Sequence, residues 1–404
     1  MRLLHTKTLE LHEFFGAEIP PYAILSHTWG EGEVSFQELR SSGGKNKAGY
    51  DKIRGCCEMA VSDGFQYVWV DTCCIDKTSS AELSEAINSM YNWYRLSDVC
   101  YVYLPDVPAN LGTKATEDAI RKSRWFTRGW TLQELIAPSG VIFFDSKWGD
   151  LGTKESLETV ITDITKIKGE VLRDANNMGE FSVAQKMSWA SERVTTRVED
   201  IAYCLLGIFG VNMPMLYGEG DQAFIRLQEE IMKSELDHSI FAWTGTSYFS
   251  PGLLAPAPAC FTNSGNIVQF ENQAASPFTS ANKGIHLHLP LKAIDRSVVH
   301  LAVLDCYEII GTDEKRLLGI YIERRHERSG IFRRIRGREL GNMDRVSSHF
   351  LIVQCGTFGC CEFLAPSMFC PEYGASLTRR CSHTFLIFMS TLIRDSGIRQ
   401  KSTN

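Results

Sequence analysis

The sequence predicts an α/β protein: a mostly parallel sheet with flanking helices, then a helical extension and a smaller C-terminal β-rich domain. Three observations carry that reading. Apolar runs near residues 22–26, 65–71, 99–104 and 141–145 are short and almost unbroken, as strands covered on both faces are. Segments with apolar residues every three or four positions separate these runs, so the pattern is βαβαβαβ. After about residue 240 the texture changes to alternating strands broken by Gly and Pro.

Tyr22–Ser26 is the first strand, and it stops at the polar, glycine-ended loop His27-Thr28-Trp29-Gly30. Between Asp51 and Asp63 the residues Ile53, Cys56, Cys57 and Ala60 recur at helical spacing, and Gly64 follows as a C-cap glycine does. Phe65–Asp71 is β-branched and aromatic, a second strand. Ser79 with Glu82 fits a capping box, opening a helix through Leu83, Ala86, Ile87, Met90 and Tyr94. Val99–Leu104 is the third strand, halted by Pro105-Asp106, and Val141–Asp145 is the fourth. Parallel strands need crossover connections, and these are right-handed. With strand order 2-1-3-4, the switch point lies between the first and third strands. Ligands in such sheets sit beyond the strands' carboxyl ends, which here are Ser26–Gly30, Asp71–Lys77 and Pro105-Asp106.

The stretch Ser123–Leu135 gathers three aromatics, two arginines and a lone carboxylate next to the fourth strand. Its second half reads as a helix, on which Trp130 and Glu134 share a face. Two readings stay open at this point: Glu134 as a reactive carboxylate beside an indole, or Glu134 paired with Arg128 or with solvent. His27 likewise divides between a general base at the rim and a structural loop residue.

Residues 146–180 carry a helix near Lys154–Lys166 and a loop at Asn176-Asn177. A helix passes through Met187–Ala190, and Thr196 with Glu199 forms a second capping box opening Asp200–Phe209. Gly218–Asp221 precedes an amphipathic helix with Phe224, Leu227, Ile231 and Met232 inward, and its two acidic residues disfavour phosphate at that turn. The expected domains are residues 1–240, with core 22–145 and helical extension 146–240, then 250–345, then a weakly patterned tail 346–404. The arginines from Arg324 to Arg338, diluted by Glu323, Glu327 and Glu339, predict a solvated hairpin.

A net charge of −6 excludes bulk attraction to nucleic acid or anionic lipid. Glu10, His12 and Glu13 interrupt any N-terminal signal core, and the run Phe385–Met389 is far short of the roughly 20 residues that span a bilayer. The expectation is a cytoplasmic protein with no membrane span and no nucleic-acid partner. The 13 cysteines read as small buried hydrophobes, and Cys355, Cys360, Cys361, Cys370, Cys381 and His383 lack the Cys-x-x-Cys spacing that favours zinc, so no metal is expected. Neither a P-loop nor a Gly-x-Ser-x-Gly nucleophile elbow is present.

Several of these segments together resemble one family. They are Tyr22-Ala-Ile-Leu-Ser-His-Thr-Trp-Gly30, Tyr67-Val-Trp-Val-Asp-Thr-Cys-Cys-Ile-Asp-Lys77 and Arg124-Trp-Phe-Thr-Arg-Gly-Trp-Thr-Leu-Gln-Glu-Leu135, followed by Arg197–Tyr203 and Met213–Gly220. In this order they resemble the heterokaryon-incompatibility (HET) domain of filamentous fungi, over roughly residues 20–235. The resemblance implies a death effector in non-self recognition when hyphae fuse. It also implies distant similarity to Toll/interleukin-1 receptor (TIR) domains, hence a TIR-like, flavodoxin-like sheet. Many TIR domains cleave NAD with a glutamate in a Trp-Cys-x-x-Glu-Leu motif, which appears here as Trp130–Leu135 with Thr131 in place of cysteine. The resemblance thus implies Glu134 as the catalytic residue, with Ser26, His27, Trp29, Asp71, Asp76 and Trp130 as binding residues. It implies NAD as substrate, with no cofactor, and as partners a second copy of the chain and an unidentified protein. The competing class is a non-catalytic module that signals by self-association.

Overall fold

The computed structural model describes residues 1–41, 43–245, 252–270, 278–281, 284–294, 298–311, 314–324, 331–343, 350–356 and 360–364. Unbroken apolar runs become strands buried on both faces. β1 (Arg2–His5), β2 (Leu11–Glu13), β3 (Ala23–His27), β4 (Tyr67–Trp69), β5 (Val99–Tyr103), β6 (Val141–Phe144) and β7 (Asp150–Thr153) form one sheet in the order β2-β1-β4-β3-β5-β6-β7. Its centre, β4-β3-β5-β6, is parallel throughout and has the expected 2-1-3-4 order. Every residue of β3 is buried. The antiparallel edges, β1 with β2 on one side and β7 on the other, were not expected from sequence. β2 and β7 are short, polar and partly exposed, and β1 buries only Leu3 and Leu4, so no long apolar run marks any of the three.

Local chemistry shifts several boundaries. The second strand ends at Trp69 rather than Asp71, because Asp71–Cys74 coils into a helical turn. Ser79 caps the helix Ser80–Arg95 by accepting the Glu82 N–H, but the Glu82 carboxylate turns away to Arg2 and to the Asp76 N–H, so the capping box is only half made. Thr196 and Glu199 form no capping box. Glu199 instead accepts the N–H groups of Gly218 (2.7 Å) and Gly220 (3.1 Å), and the expected Asp200–Phe209 helix is broken into Asp200–Tyr203 and Leu206–Phe209. The helix placed near Lys154–Lys166 starts only at Glu158, since β7 runs to Thr153 and the Lys154 N–H still donates to the Val141 carbonyl (2.9 Å). The helix Gln222–Ser234 buries Phe224, Leu227, Ile231 and Met232 as expected.

A second sheet comprises β8 (Ile267–Gln269), β9 (Thr279–Ala281), β10 (Gly284–Ala293), β11 (Val299–Ile310), β12 (Glu314–Arg324), β13 (Ile331–Arg334), β14 (Gly341–Met343), β15 (Phe350–Gly356) and β16 (Cys360–Leu364). It is antiparallel apart from one β13–β15 contact and shares no strand with the first sheet. One apolar core nevertheless runs from Leu3 to Phe332. The arginine hairpin is not wholly solvated. Arg334 is buried, donating to the carbonyls of Phe241 (2.9 Å) and Trp243 (2.5 Å) with its guanidinium 3.7 Å over the Trp243 ring. Arg325, Arg328, Cys370, Cys381 and His383 lie outside the described residues, as does the tail beyond 364. Among the described residues no helix is long and apolar enough to cross a membrane.

The helix Leu206–Phe209 packs on Ser80–Arg95 through Gly207, where an added Cβ would lie 2.1 Å from the Tyr91 Cβ. Because that atom belongs to the stem of a packed side chain, one backbone must move. Gly207→Ala is expected to destabilise the chain by about 1–3 kcal/mol. The urea-unfolding midpoint reads this directly, and an unchanged midpoint would contradict the contact.

Candidate active site

Glu134 sits on the short helix Thr131–Ile136, entered from the 3-10 turn Arg124–Thr127. The Ser123 side chain caps that turn by accepting the Trp125 N–H. The turn drives Trp125 into the core against Phe126 and Phe143. There its indole N–H donates to Ser26 Oγ (2.8 Å), and Ser26 Oγ donates to Glu134 Oε2 (2.5 Å). Ser26 is the penultimate residue of β3, so the carboxyl end of the central strand and the helix meet through this relay. Glu134 is 7% exposed. Burial pushes its carboxyl up to about 8; the Ser26 hydrogen bond opposes this and the nearby Asp71 charge adds to it.

Two buried cations hold the ends of this helix. Arg193 donates to the Arg128 carbonyl (2.8 Å), to Thr131 Oγ1 (2.9 Å) and to the Trp189 carbonyl (3.2 Å). Thr131, the residue that replaces the motif's cysteine, in turn donates to the Trp125 carbonyl at 2.6 Å. At the other end Lys154 donates to the carbonyls of Pro138 (2.6 Å) and Leu135 (3.4 Å). Burial lowers Arg193 to about 10 and Lys154 to about 8. Neither residue was singled out from sequence, and no local pattern marks a cation whose partners are carbonyls on another element.

A second polar cluster occupies the rim beside this relay. Lys52 Nζ donates to His27 Nδ1 (2.6 Å) and pairs with Glu33 (2.5 Å). An ammonium can only donate, so His27 Nδ1 accepts, and Nε2–H donates to Asp71 Oδ1 at 3.0 Å. Both ring nitrogens of His27 are therefore engaged. Asp71 Oδ2 accepts the Trp29 indole N–H (2.8 Å), and Lys77 lies 3.9 Å away. Burial pushes the Asp71 carboxyl up, but the Lys77 charge and the His27 and Trp29 hydrogen bonds outweigh it and hold the group well below the usual carboxylate range.

Five of the residues expected at the site, Ser26, His27, Trp29, Asp71 and Glu134, thus meet at the carboxyl end of β3. Two do not. Asp76, in the next loop, accepts from Gln37 (2.6 Å) and Thr78 (2.6 Å), and Trp130 lies beside Asp200 in the helical extension. Glu134 pairs with neither Arg128 nor solvent. Two surface cavities, of about 330 and 310 Å³, lie elsewhere, lined by Arg54 and Glu58 in one and by Glu82 and Phe15 in the other.

Comparison with known proteins places this geometry in context. Residues 22–119 match the family described as heterokaryon incompatibility protein (HET), a span that holds Ser26, His27, Trp29 and Asp71 and ends before Glu134. Residues 222–285 match a domain of unknown function (DUF8212). Over 225 residues the chain is 51% identical to "Vegetative incompatibility protein HET-E-1" of Podospora anserina, covering 54% of this chain and 16% of that protein. The chain therefore spans about a sixth of the length of that relative. No solved structure matches significantly.

The Glu134 geometry fixes a pH dependence. The folded carboxyl keeps its proton up to about 8, whereas a glutamate carboxyl in water titrates near 4.5. Between these values the folded state binds more protons than the unfolded chain, so wild-type stability falls as pH rises through the window. Glu134→Gln cannot ionise and escapes this loss. Urea unfolding of both proteins at about pH 5 and about pH 8 is expected to show the variant gaining on wild type with rising pH. A pH-independent difference would mean that Glu134 does not titrate there.

Proposed function

We propose, from the match of residues 22–119 to the family described as heterokaryon incompatibility protein (HET), that the protein is a vegetative-incompatibility effector that triggers cell death by cleaving NAD. The observation that carries this reading is Glu134, fixed by Ser26 at the carboxyl end of the central parallel strand, where α/β sheets bind ligands. We assign the effector role to residues 1–240 and an accessory role to the β-rich residues 250–345. A second copy of the chain and a non-self protein are the proposed partners, and NAD is substrate, not cofactor.

Hydrolysis replaces the nicotinamide–ribose bond with a bond from water to the same ribose carbon, giving nicotinamide, ADP-ribose and a proton. Positive charge builds on the ribose as the bond breaks, and a fixed carboxylate beside it lowers the barrier. The resting Glu134 is mostly protonated at neutral pH, since its carboxyl is pushed up to about 8. A bound pyridinium cation would lower that value and ionise the group at the moment it is needed.

A different observation favours the competing class. Glu134 is buried, as expected of a TIR-like module that signals by self-association without chemistry. The two readings separate on one variant. Glu134→Gln keeps the side chain's shape and is expected to reduce NAD loss by about a hundredfold or more, and to abolish toxicity in a fungal host, at matched expression of the folded protein. Equal activity of the two proteins, or toxicity without NAD loss in either, would favour self-association.

A further inference from the structure

Trp29 follows β3 on the rim loop and is 49% exposed. Its indole N–H donates to Asp71 (2.8 Å), which holds the ring, and Arg124 donates to the Trp29 carbonyl (2.8 Å), which holds its backbone. Over the ring face, 3.6 Å from its centroid, lies the ammonium of Lys77. The same nitrogen is 3.9 Å from Asp71 Oδ2, and the Lys77 side chain is two-thirds buried. An indole face beside a carboxylate is the chemistry that recognises an organic cation. Here the chain supplies the cation itself.

We propose that Trp29 and Asp71 form a cation-binding site that Lys77 occupies in the resting protein, and that a flat pyridinium cation takes the site when Lys77 withdraws. The choice of a pyridinium rests on the reading of NAD as substrate; the cation site does not. A flat ring with delocalised charge stacks on the indole more completely than a compact ammonium does and gives up less hydration. Two cations cannot share one ring face and one carboxylate at contact distance without repulsion, so Lys77 and the ligand exclude each other. The other groups around Asp71 keep their places in either state, because His27 is held by Lys52 and Lys52 by Glu33. Lys77 therefore acts as an autoinhibitory plug, carried on the segment between the helical turn at Asp71–Cys74 and the helix Ser80–Arg95.

The test uses the full chain and 1-methylnicotinamide, a pyridinium with a fixed charge and no ribose bond to cleave, with uncharged nicotinamide as control, by isothermal titration calorimetry. Lys77→Met is expected to tighten 1-methylnicotinamide binding roughly tenfold and leave nicotinamide unchanged. Lys77→Arg retains the charge and is expected to bind no tighter than wild type. Adding Trp29→Leu to Lys77→Met should remove the gain. The proposal is overturned if Lys77→Met binds the cation no tighter, if nicotinamide gains equally, or if the gain survives Trp29→Leu. Because 1-methylnicotinamide is not cleaved, absence of NAD loss with this pattern intact counts against the enzyme reading alone. NAD loss without the pattern counts against the cation site alone.

Discussion

Holding the Glu134 carboxyl out of water at the end of a parallel strand is the constraint on which the surrounding structure depends. A buried carboxyl needs hydrogen-bond partners, and those available fix its neighbours in turn. Ser26 spends its one proton on Glu134, and the Trp125 indole N–H satisfies the acceptor side of the same buried hydroxyl. Trp125 reaches that point only because Ser123 caps the preceding turn and Phe126 and Phe143 pack around the ring. A defect anywhere in this chain leaves a polar group buried without a partner, and such groups cost about 1–3 kcal/mol each.

The same constraint explains the two buried cations. Arg193 and Lys154 donate to backbone carbonyls and a threonine hydroxyl, and so pin the ends of a helix of six residues that is too short to be stable by itself. Arg193 also ties this helix to the extension, since it follows the helix Val183–Ala190. That helix is fixed from the far side: Ser182 donates to the Ile267 carbonyl (2.6 Å) and Gln185 to the Gly265 carbonyl (3.2 Å). A continuous path of packed and hydrogen-bonded elements therefore links the β-rich region to the Glu134 helix. It gives the C-terminal sheet a mechanical connection to the candidate site.

Two polar layers of different character meet at β3. Beneath, the Trp125–Ser26–Glu134 relay is buried, and its carboxyl is pushed toward the protonated form. Above, the rim cluster of Lys52, Glu33, His27, Asp71, Trp29 and Lys77 alternates charges so that Asp71 stays ionised. Like charge repels across the short gap between the layers, so the ionised Asp71 helps keep Glu134 protonated. Anything that draws Lys77 away from Asp71 changes the field that Glu134 experiences.

The amino-acid sequence by itself determined the parallel centre of the first sheet, because strands buried on both faces are apolar at nearly every position and so remain visible as almost unbroken runs. It also determined the Glu134 helix, through the spacing of Trp130, Glu134 and Leu135, and the change to antiparallel strands after residue 250. The polar edge strands β2 and β7 left no such trace, and the half-made capping box at Ser79 shows a local signal losing to a distant partner, Arg2. Only the tertiary structure decided who pairs with whom at the site. Ser26 and Glu134 are 108 residues apart, and Arg193 and Thr131 are 62 apart. Such contacts depend on strand order and on which face each crossover helix covers. Periodicity encodes burial of a side chain, but the hydrogen-bond partner of a buried polar group is set by whatever the fold brings within 3 Å of it.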